Sequence, residues 1–187
     1  HPEVIGTLGQ LPTDAIHLVE DAQDAEAFTP RDPAKLAYAT QTTLSVEETV
    51  QVLAVLRRRF PQLAGPHRED ICYATTNRQQ AVKQIAPRCD AMVVLGAPNS
   101  SNSVRLVEVA KSSGCARAVL VQRAHEMDWS ELGSLTTLGI TAGASAPERI
   151  VQEVIDAFAA RYDVKIEEVV TTTEDIRFRL PRVLEDA

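Results

Sequence analysis

The residue best suited to catalysis or metal binding is Cys72. It stands just ahead of a predicted helix in the segment EDICYATTNRQQAV at 69–82. A thiol at the amino end of a helix lies in the positive field of the backbone dipoles, and this field favours the thiolate. The thiolate is the form that acts as a nucleophile or a metal ligand. A buried structural thiol is the alternative, because free cysteine is among the most buried residue types.

Four short polar segments provide further candidates, because each falls at the predicted end of a strand or start of a helix. They are QTT at 41–43, ATTN at 74–77, NSSNS at 99–103 and TAGAS at 141–145. Open α/β folds bind ligands there, and free backbone N–H groups and hydroxyls suit a phosphate. Ordinary helix capping explains any one segment, but NSSNS has more polar residues than one cap requires. Neither G-x-G-x-x-G nor G-x-x-x-x-G-K-[ST] occurs, so nucleotide binding has no direct support.

His1 and Glu3 place an imidazole and a carboxylate two residues apart. In an extended segment both would face the same side and form an acid/base pair. A solvated terminus is the alternative. The remaining histidines, at positions 17, 67 and 125, have surroundings typical of structural or solvated side chains.

The hydrophobic pattern predicts strands alternating with helices, which is typical of a mostly parallel sheet with right-handed crossovers. Predicted strands lie at 15–20, 35–43, 90–96, 116–122 and 134–140, and residues 1–13 are expected to form a loop or short strand. Predicted helices lie at 21–28, from Ser45 to Phe60, at 76–85, after 103 and after Ser145. Ser45 with Glu48, and Ser145 with Glu148, have capping-box spacing.

We therefore predict an α/β fold of two similar units, at 1–66 and 67–161. A C-terminal extension at 162–187 has strand character at 164–170 and 176–181. Cys89 and Cys115 precede strands, at the edge of the sheet opposite the polar loops, and are expected to be core or surface thiols.

Composition limits the classes of partner. The 187 residues are 44% hydrophobic with a net charge of −7, which disfavours binding to nucleic acid or an anionic membrane through bulk electrostatics. The longest apolar run, 91–97, is far shorter than the ~20 residues of a membrane span. Three widely spaced cysteines do not resemble a secreted disulfide framework and favour a reducing compartment.

Five segments together resemble the 4-hydroxy-3-methylbut-2-enyl diphosphate reductase family, also called LytB or IspH. They are HPEV-x-GT-x-GQ at 1–10, TQTTLSV at 40–46, DICYATTNRQ-x-AV at 70–82, NSSNS at 99–103 and TAGASAP at 141–147. They stand in the family's order, with similar spacing, over nearly the whole chain. The segments at 70–82 and 141–147 are highly specific.

The resemblance implies an iron–sulfur reductase at the last step of the non-mevalonate isoprenoid pathway. Such an enzyme removes an allylic hydroxyl with two electrons and protons, giving isopentenyl and dimethylallyl diphosphates. Its fold has three α/β units around a central [4Fe-4S] cluster, and each unit supplies one cysteine.

The resemblance also assigns roles to residues. Cys72 would ligate the cluster. Glu3 would deliver protons at the substrate hydroxyl, aided by Thr42, and His1 would shape the proton network and help to hold the diphosphate. The diphosphate would be bound by Ser100, Ser101, Asn102 and Ser145.

The family's N-terminal unit has no counterpart in this sequence, and neither do two of its three cysteine ligands. We therefore expect this chain alone to bind no stable cluster and to have no reductase activity. Since the chain begins at His1, inside a motif, truncation of a longer protein is the favoured explanation. Any signal peptide would then be hidden.

Two other functions remain open: a non-redox diphosphate-binding module, and a cysteine-nucleophile enzyme built on Cys72. The second is ranked last because no basic residue is predicted near the thiol. For the reductase, the family implies ferredoxin or flavodoxin as the electron donor, and the cytoplasm of a bacterium or a plastid as its location.

Overall fold

The computed structural model describes residues 1–132 and 135–176 and has the predicted α/β architecture, a parallel sheet flanked by helices. The strands are β1 (Ala91–Leu95), β2 (Ala118–Val121) and β3 (Leu138–Ala142). The helices are α1 (Pro2–Leu8), α2 (Ala22–Ala27), α3 (Val46–Arg59), α4 (Tyr73–Ile85), α5 (Ser101–Ser112), α6 (Trp129–Leu132) and α7 (Glu148–Ala159). Short 3₁₀ helices cover Ala86–Arg88 and Ala124–Glu126.

Strand β1 is the centre of a three-stranded sheet of order β2-β1-β3, and both pairings are parallel. Met92 is paired with Ala118 on one side and with Gly139 on the other. All five residues of β1 are buried. This agrees with its continuous apolar sequence, which is typical of a parallel strand covered on both faces.

The two faces of β1 belong to different hydrophobic clusters. Met92 and Val94 pack with residues of α4 and α5, including Val82 and Leu106. Val93 and Leu95 pack on the other face with residues of α7, including Val154 and Phe158. Because side chains alternate between the two faces of a strand, β1 packs against helices on both sides of the sheet.

Residues 1–66 differ from the prediction. The structure shows no strand at 15–20, and the predicted strand at 35–43 is reduced to a single parallel bridge between Ala37 and Ala64. Residues 2–8 form helix α1 where a loop or short strand was expected. Burial explains the difference, because Leu18 is 45% exposed and the cluster in this region is built mainly on α2 and α3.

Of the two predicted capping boxes, one is confirmed and one is wrong. Ser45 is the N-cap of α3, and its side chain accepts a hydrogen bond from the Glu48 N–H group. Helix α7 begins at Glu148 with Pro147 as N-cap and no side-chain cap, so Ser145 lies too early in the chain. Helix α4 begins at Tyr73, three residues earlier than predicted, and makes Cys72 its N-cap.

The described part of the C-terminal extension, 162–176, has no helix or strand, so the strand predicted at 164–170 is wrong. Its carboxylates contact α4 and the turn that follows: Asn77 donates to Glu174, and Arg88 pairs with Glu167. The strand predicted at 176–181 lies almost wholly outside the described residues. Within 1–132 and 135–176, no helix is both long and apolar enough to cross a bilayer.

Candidate functional site

The ends of β1 and β3 meet at the start of α5, and two glycines make this approach possible. A Cβ on Gly96 would lie 2.1 Å from the Ser103 hydroxyl oxygen, and one on Gly143 would lie 2.2 Å from it. The Gly143 N–H group also donates to the Leu95 carbonyl at 2.8 Å. Only residues without side chains fit beside Ser103 at these two positions.

Ser100 is the N-cap of α5, so this helix begins inside the NSSNS segment and not after residue 103 as predicted. Its hydroxyl oxygen accepts hydrogen bonds from the Ser103 N–H group at 3.4 Å and the Ser103 hydroxyl at 3.1 Å. Asn102 is 7% exposed, and its side-chain oxygen and nitrogen have no hydrogen-bond partner within the described residues. A buried amide without partners in the protein is rare, and at a helix start it is placed to bind a polar ligand.

His1 lies against the same helix start. Its Nε2 is 2.7 Å from the Ser101 hydroxyl oxygen. The prediction of an extended segment is wrong, because His1 is the N-cap of α1 and Glu3 lies in that helix. The two side chains are nevertheless near one another, with His1 Nδ1 3.9 Å from Glu3 Oε2.

Gln41 joins the imidazole to the carboxylate. Its side-chain amide donates to Glu3 Oε2 at 2.9 Å and contacts His1 Nδ1 at 3.2 Å. The Glu3 N–H group also donates to His1 Nδ1, at 3.3 Å. Because an N–H group can only donate, Nδ1 of the neutral imidazole is the acceptor. The ring proton of this tautomer is therefore on Nε2, which donates to the Ser101 hydroxyl oxygen.

Cys72 lies beside Thr42. The Cys72 N–H group donates to the Thr42 carbonyl at 3.0 Å, and both residues are exposed. Cys72 lines a concave space of about 410 Å³. The other lining residues are Glu69, Ile71, Tyr73, Thr76 and Asn77.

Two buried or half-buried side chains fix the 40–46 loop to the segment that carries Cys72. Gln79, which is fully buried, donates to the Leu44 carbonyl at 2.8 Å and accepts from the Val46 N–H group at 3.2 Å. Asp70 accepts from the Thr40 N–H group at 2.7 Å. These bonds connect the first region of the chain to α4 without a sheet.

The structure brings four of the predicted residues into one contiguous group. They are His1, Glu3, Ser100 and Ser101, with Asn102 in the same helical turn. Thr42 reaches Cys72 through its backbone, and Ser145 is exposed in the turn after Gly143. Neither the Thr42 nor the Ser145 hydroxyl has a hydrogen bond to this group within the described residues.

Sequence reasoning did not single out Gln41, Gln79, Ser103 or the two glycines. Gln41 and Ser103 stand inside polar segments that were recognised, and a glycine directly after a strand was a usable signal for Gly96 and Gly143. Gln79 had no such signal, because an amide in a helix is usually solvated.

Cys89 and Cys115 lie at the amino ends of β1 and β2, opposite the polar loops, as predicted. Burial is the main cause that raises the pKa of each thiol above its ordinary value. Cys89 Sγ is 3.2 Å from the Ile85 carbonyl oxygen, and the Cys115 side chain is fully buried. Protonated, buried thiols are poor metal ligands.

One cysteine of this chain has surroundings that suit a ligand of an iron–sulfur cluster. Such clusters are usually held by several cysteine thiolates. Exposed Cys72, at a helix start beside an open concavity, fits one such ligand. Within the described residues there is no group of three or more His, Cys, Asp or Glu residues that could hold a metal, so this set does not fit a complete cluster.

Comparison with known proteins adds a family assignment. The family model described as "LytB protein" matches residues 1–159. The chain is 60% identical over 184 residues to 4-hydroxy-3-methylbut-2-enyl diphosphate reductase 2 of Rhodopseudomonas palustris, covering 98% of this chain and 58% of that protein. It is 59% identical over 186 residues to the reductase of Roseobacter denitrificans, covering 100% of this chain and 59% of that protein.

This chain is also similar to a solved reductase structure. The fold is similar to that of the E-1-hydroxy-2-methyl-but-2-enyl-4-diphosphate reductase from Plasmodium falciparum, with a TM-score of 0.79 and 31% identity. The match covers 92% of this chain and 56% of that one. This chain therefore spans a little more than half the length of the relatives that it matches.

Proposed function

This chain belongs to the LytB family, and from that premise we propose that it forms part of a 4-hydroxy-3-methylbut-2-enyl diphosphate reductase. In the proposed reaction the substrate is reduced by two electrons and two protons, which gives isopentenyl or dimethylallyl diphosphate and water. The observation that carries the proposal is the 2.7 Å contact between His1 and Ser101. It unites the HPE and NSSNS segments, which are 100 residues apart in the chain, in one polar group.

The diphosphate is bound at the start of α5. The Ser101 and Asn102 N–H groups belong to the first turn, where the helix offers no carbonyl to accept from them. These N–H groups, the helix dipole and the hydroxyls of Ser100 and Ser101 stabilise a charged phosphate. Asn102 provides an amide whose polar atoms the described protein leaves without partners, and Ser145 reaches the ligand from the turn after β3.

Glu3 donates a proton to the allylic hydroxyl, so that this group departs as water. Gln41, bonded to Glu3 Oε2, orients the carboxyl, and His1 holds the diphosphate side of the network through Nε2. Thr42, next to Gln41 in the chain, assists at the hydroxyl end.

Cys72 is the one residue of this chain that we assign to a [4Fe-4S] cluster, whose chemistry in the whole protein is electron delivery. Ferredoxin or flavodoxin supplies those electrons, and the reaction occurs in the cytoplasm, or in a plastid if the source is eukaryotic. We further propose unit boundaries at 66 and 161. The 187-residue chain by itself holds no stable cluster and performs no turnover.

Calorimetric titration of the 187-residue chain with inorganic pyrophosphate tests the binding part of the proposal. We expect saturable binding that Asn102→Ala weakens about tenfold, the loss associated with a buried amide and its ligand hydrogen bonds. Ser112→Ala is the matched control, because Ser112 lies at the other end of the same helix and its hydroxyl bonds, within the described residues, to the Val109 carbonyl alone. Equal affinity of the chain and the Asn102→Ala variant would contradict this assignment.

A non-redox diphosphate-binding module is the second candidate, since the proposed anion site needs no cluster and the described residues contain no group of three or more metal-ligating side chains. The two functions are separated in the protein isolated anaerobically with its cluster. Cys72→Ser should remove iron and Glu3→Gln should retain iron but lose turnover. If the Cys72→Ser variant kept its iron and its turnover, the assignment of Cys72 as a cluster ligand would be wrong.

A further inference from the structure

Ser103 is the one fully buried residue of the NSSNS segment, and the proposed function gives it no role. Its hydroxyl oxygen lies between Gly96 and Gly143, which follow β1 and β3. No ligand reaches this oxygen directly, because the two glycine backbones cover it. Any contribution of Ser103 to binding must therefore pass through a neighbouring residue.

That neighbour is Ser100. Within the described residues, the Ser103 hydroxyl has one hydrogen-bond partner, the Ser100 hydroxyl oxygen at 3.1 Å. A buried hydroxyl proton without an acceptor is costly, so Ser103 is the donor in this pair. The Ser103 N–H group donates to the same oxygen at 3.4 Å.

These two bonds determine what Ser100 can offer a ligand. A serine hydroxyl has two acceptor lone pairs and one proton. Ser103 occupies both lone pairs, which leaves the proton of Ser100 as its free hydrogen-bonding group. We propose that Ser103 is a positioning residue that makes Ser100 an obligate hydrogen-bond donor and so selects an anionic oxygen at the start of α5.

This inference rests on the proposed diphosphate site and deepens it. Phosphate oxygens are acceptors, so a hydroxyl fixed as a donor matches them, whereas an ammonium or another donor group finds no acceptor on Ser100. This arrangement also explains why Gly96 and Gly143 follow β1 and β3. They leave the space in which Ser103 can reach Ser100.

A double-mutant cycle separates this role from simple packing. With inorganic pyrophosphate as the probe, we expect Ser103→Ala to weaken binding about fivefold, the effect of one hydrogen bond. Ser100→Ala should weaken it at least as much, and Ser103→Ala should have no further effect in the Ser100→Ala background. Fully additive losses would overturn the proposal, since Ser103 would then act independently of Ser100.

Ser103→Ala removes one buried atom and adds none, so the variant should fold, and Ser112→Ala controls for the loss of a hydroxyl in the same helix. A ligand-free measurement completes the test. Three-bond couplings of Ser100 should show one χ1 rotamer in the unaltered chain and Ser112→Ala, but several in Ser103→Ala. A single unchanged rotamer in Ser103→Ala would refute the positioning role.

The two proposals fail in different ways. If the unaltered chain does not bind pyrophosphate, the proposed diphosphate site is wrong, and the Ser100 rotamer alone decides the role of Ser103. If the chain binds pyrophosphate but Ser103→Ala has unchanged affinity, the diphosphate site stands and the inference about Ser103 falls.

Discussion

The regions 1–66 and 67–161 contribute to the same site but are held in position by different means. In 67–161 the central strand β1 is buried on both faces, and the loop that precedes α5 follows directly from it. In 1–66, within the described residues, one hydrophobic cluster and one isolated bridge replace a sheet. The proposed anion site is therefore built on the sheet region, while the HPE and TQTT segments are joined to that region by polar contacts.

This difference agrees with the two tasks that we propose for the site, anion binding and proton donation. A phosphate-binding helix start needs fixed N–H groups, which a buried parallel sheet supplies. Glu3, the proposed proton donor, would have to approach the reacting group, and side-chain hydrogen bonds such as the one from Gln41 to Glu3 permit adjustment. Lower local stability is common in segments that bind or close on ligands.

The largest expected effect comes from the cores of the two regions. Leu106→Ala, at a fully buried position of the sheet region, should lower the free energy of unfolding by about 3–5 kcal/mol. Leu56→Ala, in the first region where Leu56 is 7% exposed, should cost about 2 kcal/mol and accelerate hydrogen exchange only in 1–66. Urea unfolding and hydrogen exchange measure both. Rapid exchange of β1 amides in Leu56→Ala would show that the regions unfold together.

Glycine substitution sharpens the comparison. Gly96→Ala should destabilise the chain by about 2 kcal/mol, because the new Cβ would collide with Ser103. Gly6→Ala is the matched control in the first region: no atom lies within 4 Å of its Cβ, and alanine should stabilise helix α1 by about 0.5 kcal/mol. Thermal unfolding of both variants measures the expected loss of stability in Gly96→Ala and the expected gain in Gly6→Ala. A neutral Gly96→Ala would mean that Ser103 can move aside.

The link between the regions can be broken at Gln79. Gln79→Ala removes the partners of the Leu44 carbonyl and the Val46 N–H group, which should cost about 1.5 kcal/mol. Exchange of the Cys72 amide, bonded to Thr42, should increase more than exchange of amides in β1. Gln80→Ala, at the exposed neighbouring position, should change neither quantity. Uniform acceleration across the chain would argue against a local link.

The smallest effect concerns the two predicted capping boxes. Ser45→Ala should cost about 1 kcal/mol, since it removes the side-chain cap of α3. Ser145→Ala should alter stability by less than about 0.5 kcal/mol, because α7 has no side-chain cap. Chemical denaturation distinguishes the two. Similar losses in both variants would mean that Ser145 stabilises α7 in solution.

Particular elements show how far sequence reasoning reached. The run AMVVL and the cap at Ser45 were predicted correctly because strong apolar continuity and capping chemistry are local signals. The segments 15–20, 35–43 and 164–170 have strand-like composition but form no strand, since strand formation requires a partner to supply hydrogen bonds. For helix α1, the HPE segment read as extended because its apolar residues remain exposed and give no burial pattern, with Ile5 71% exposed.

The amino-acid sequence by itself determined the fold class, the family resemblance, and Cys72 at a helix start, because these depend on residue order and local pattern. Only the tertiary structure decided that His1 touches Ser101, that Gln79 joins two regions, and that Ser103 lies between two glycines. Each of these contacts links residues far apart in the chain or depends on the approach of separate strands. Such proximity follows from the way separate elements pack together, and no local sequence pattern encodes it.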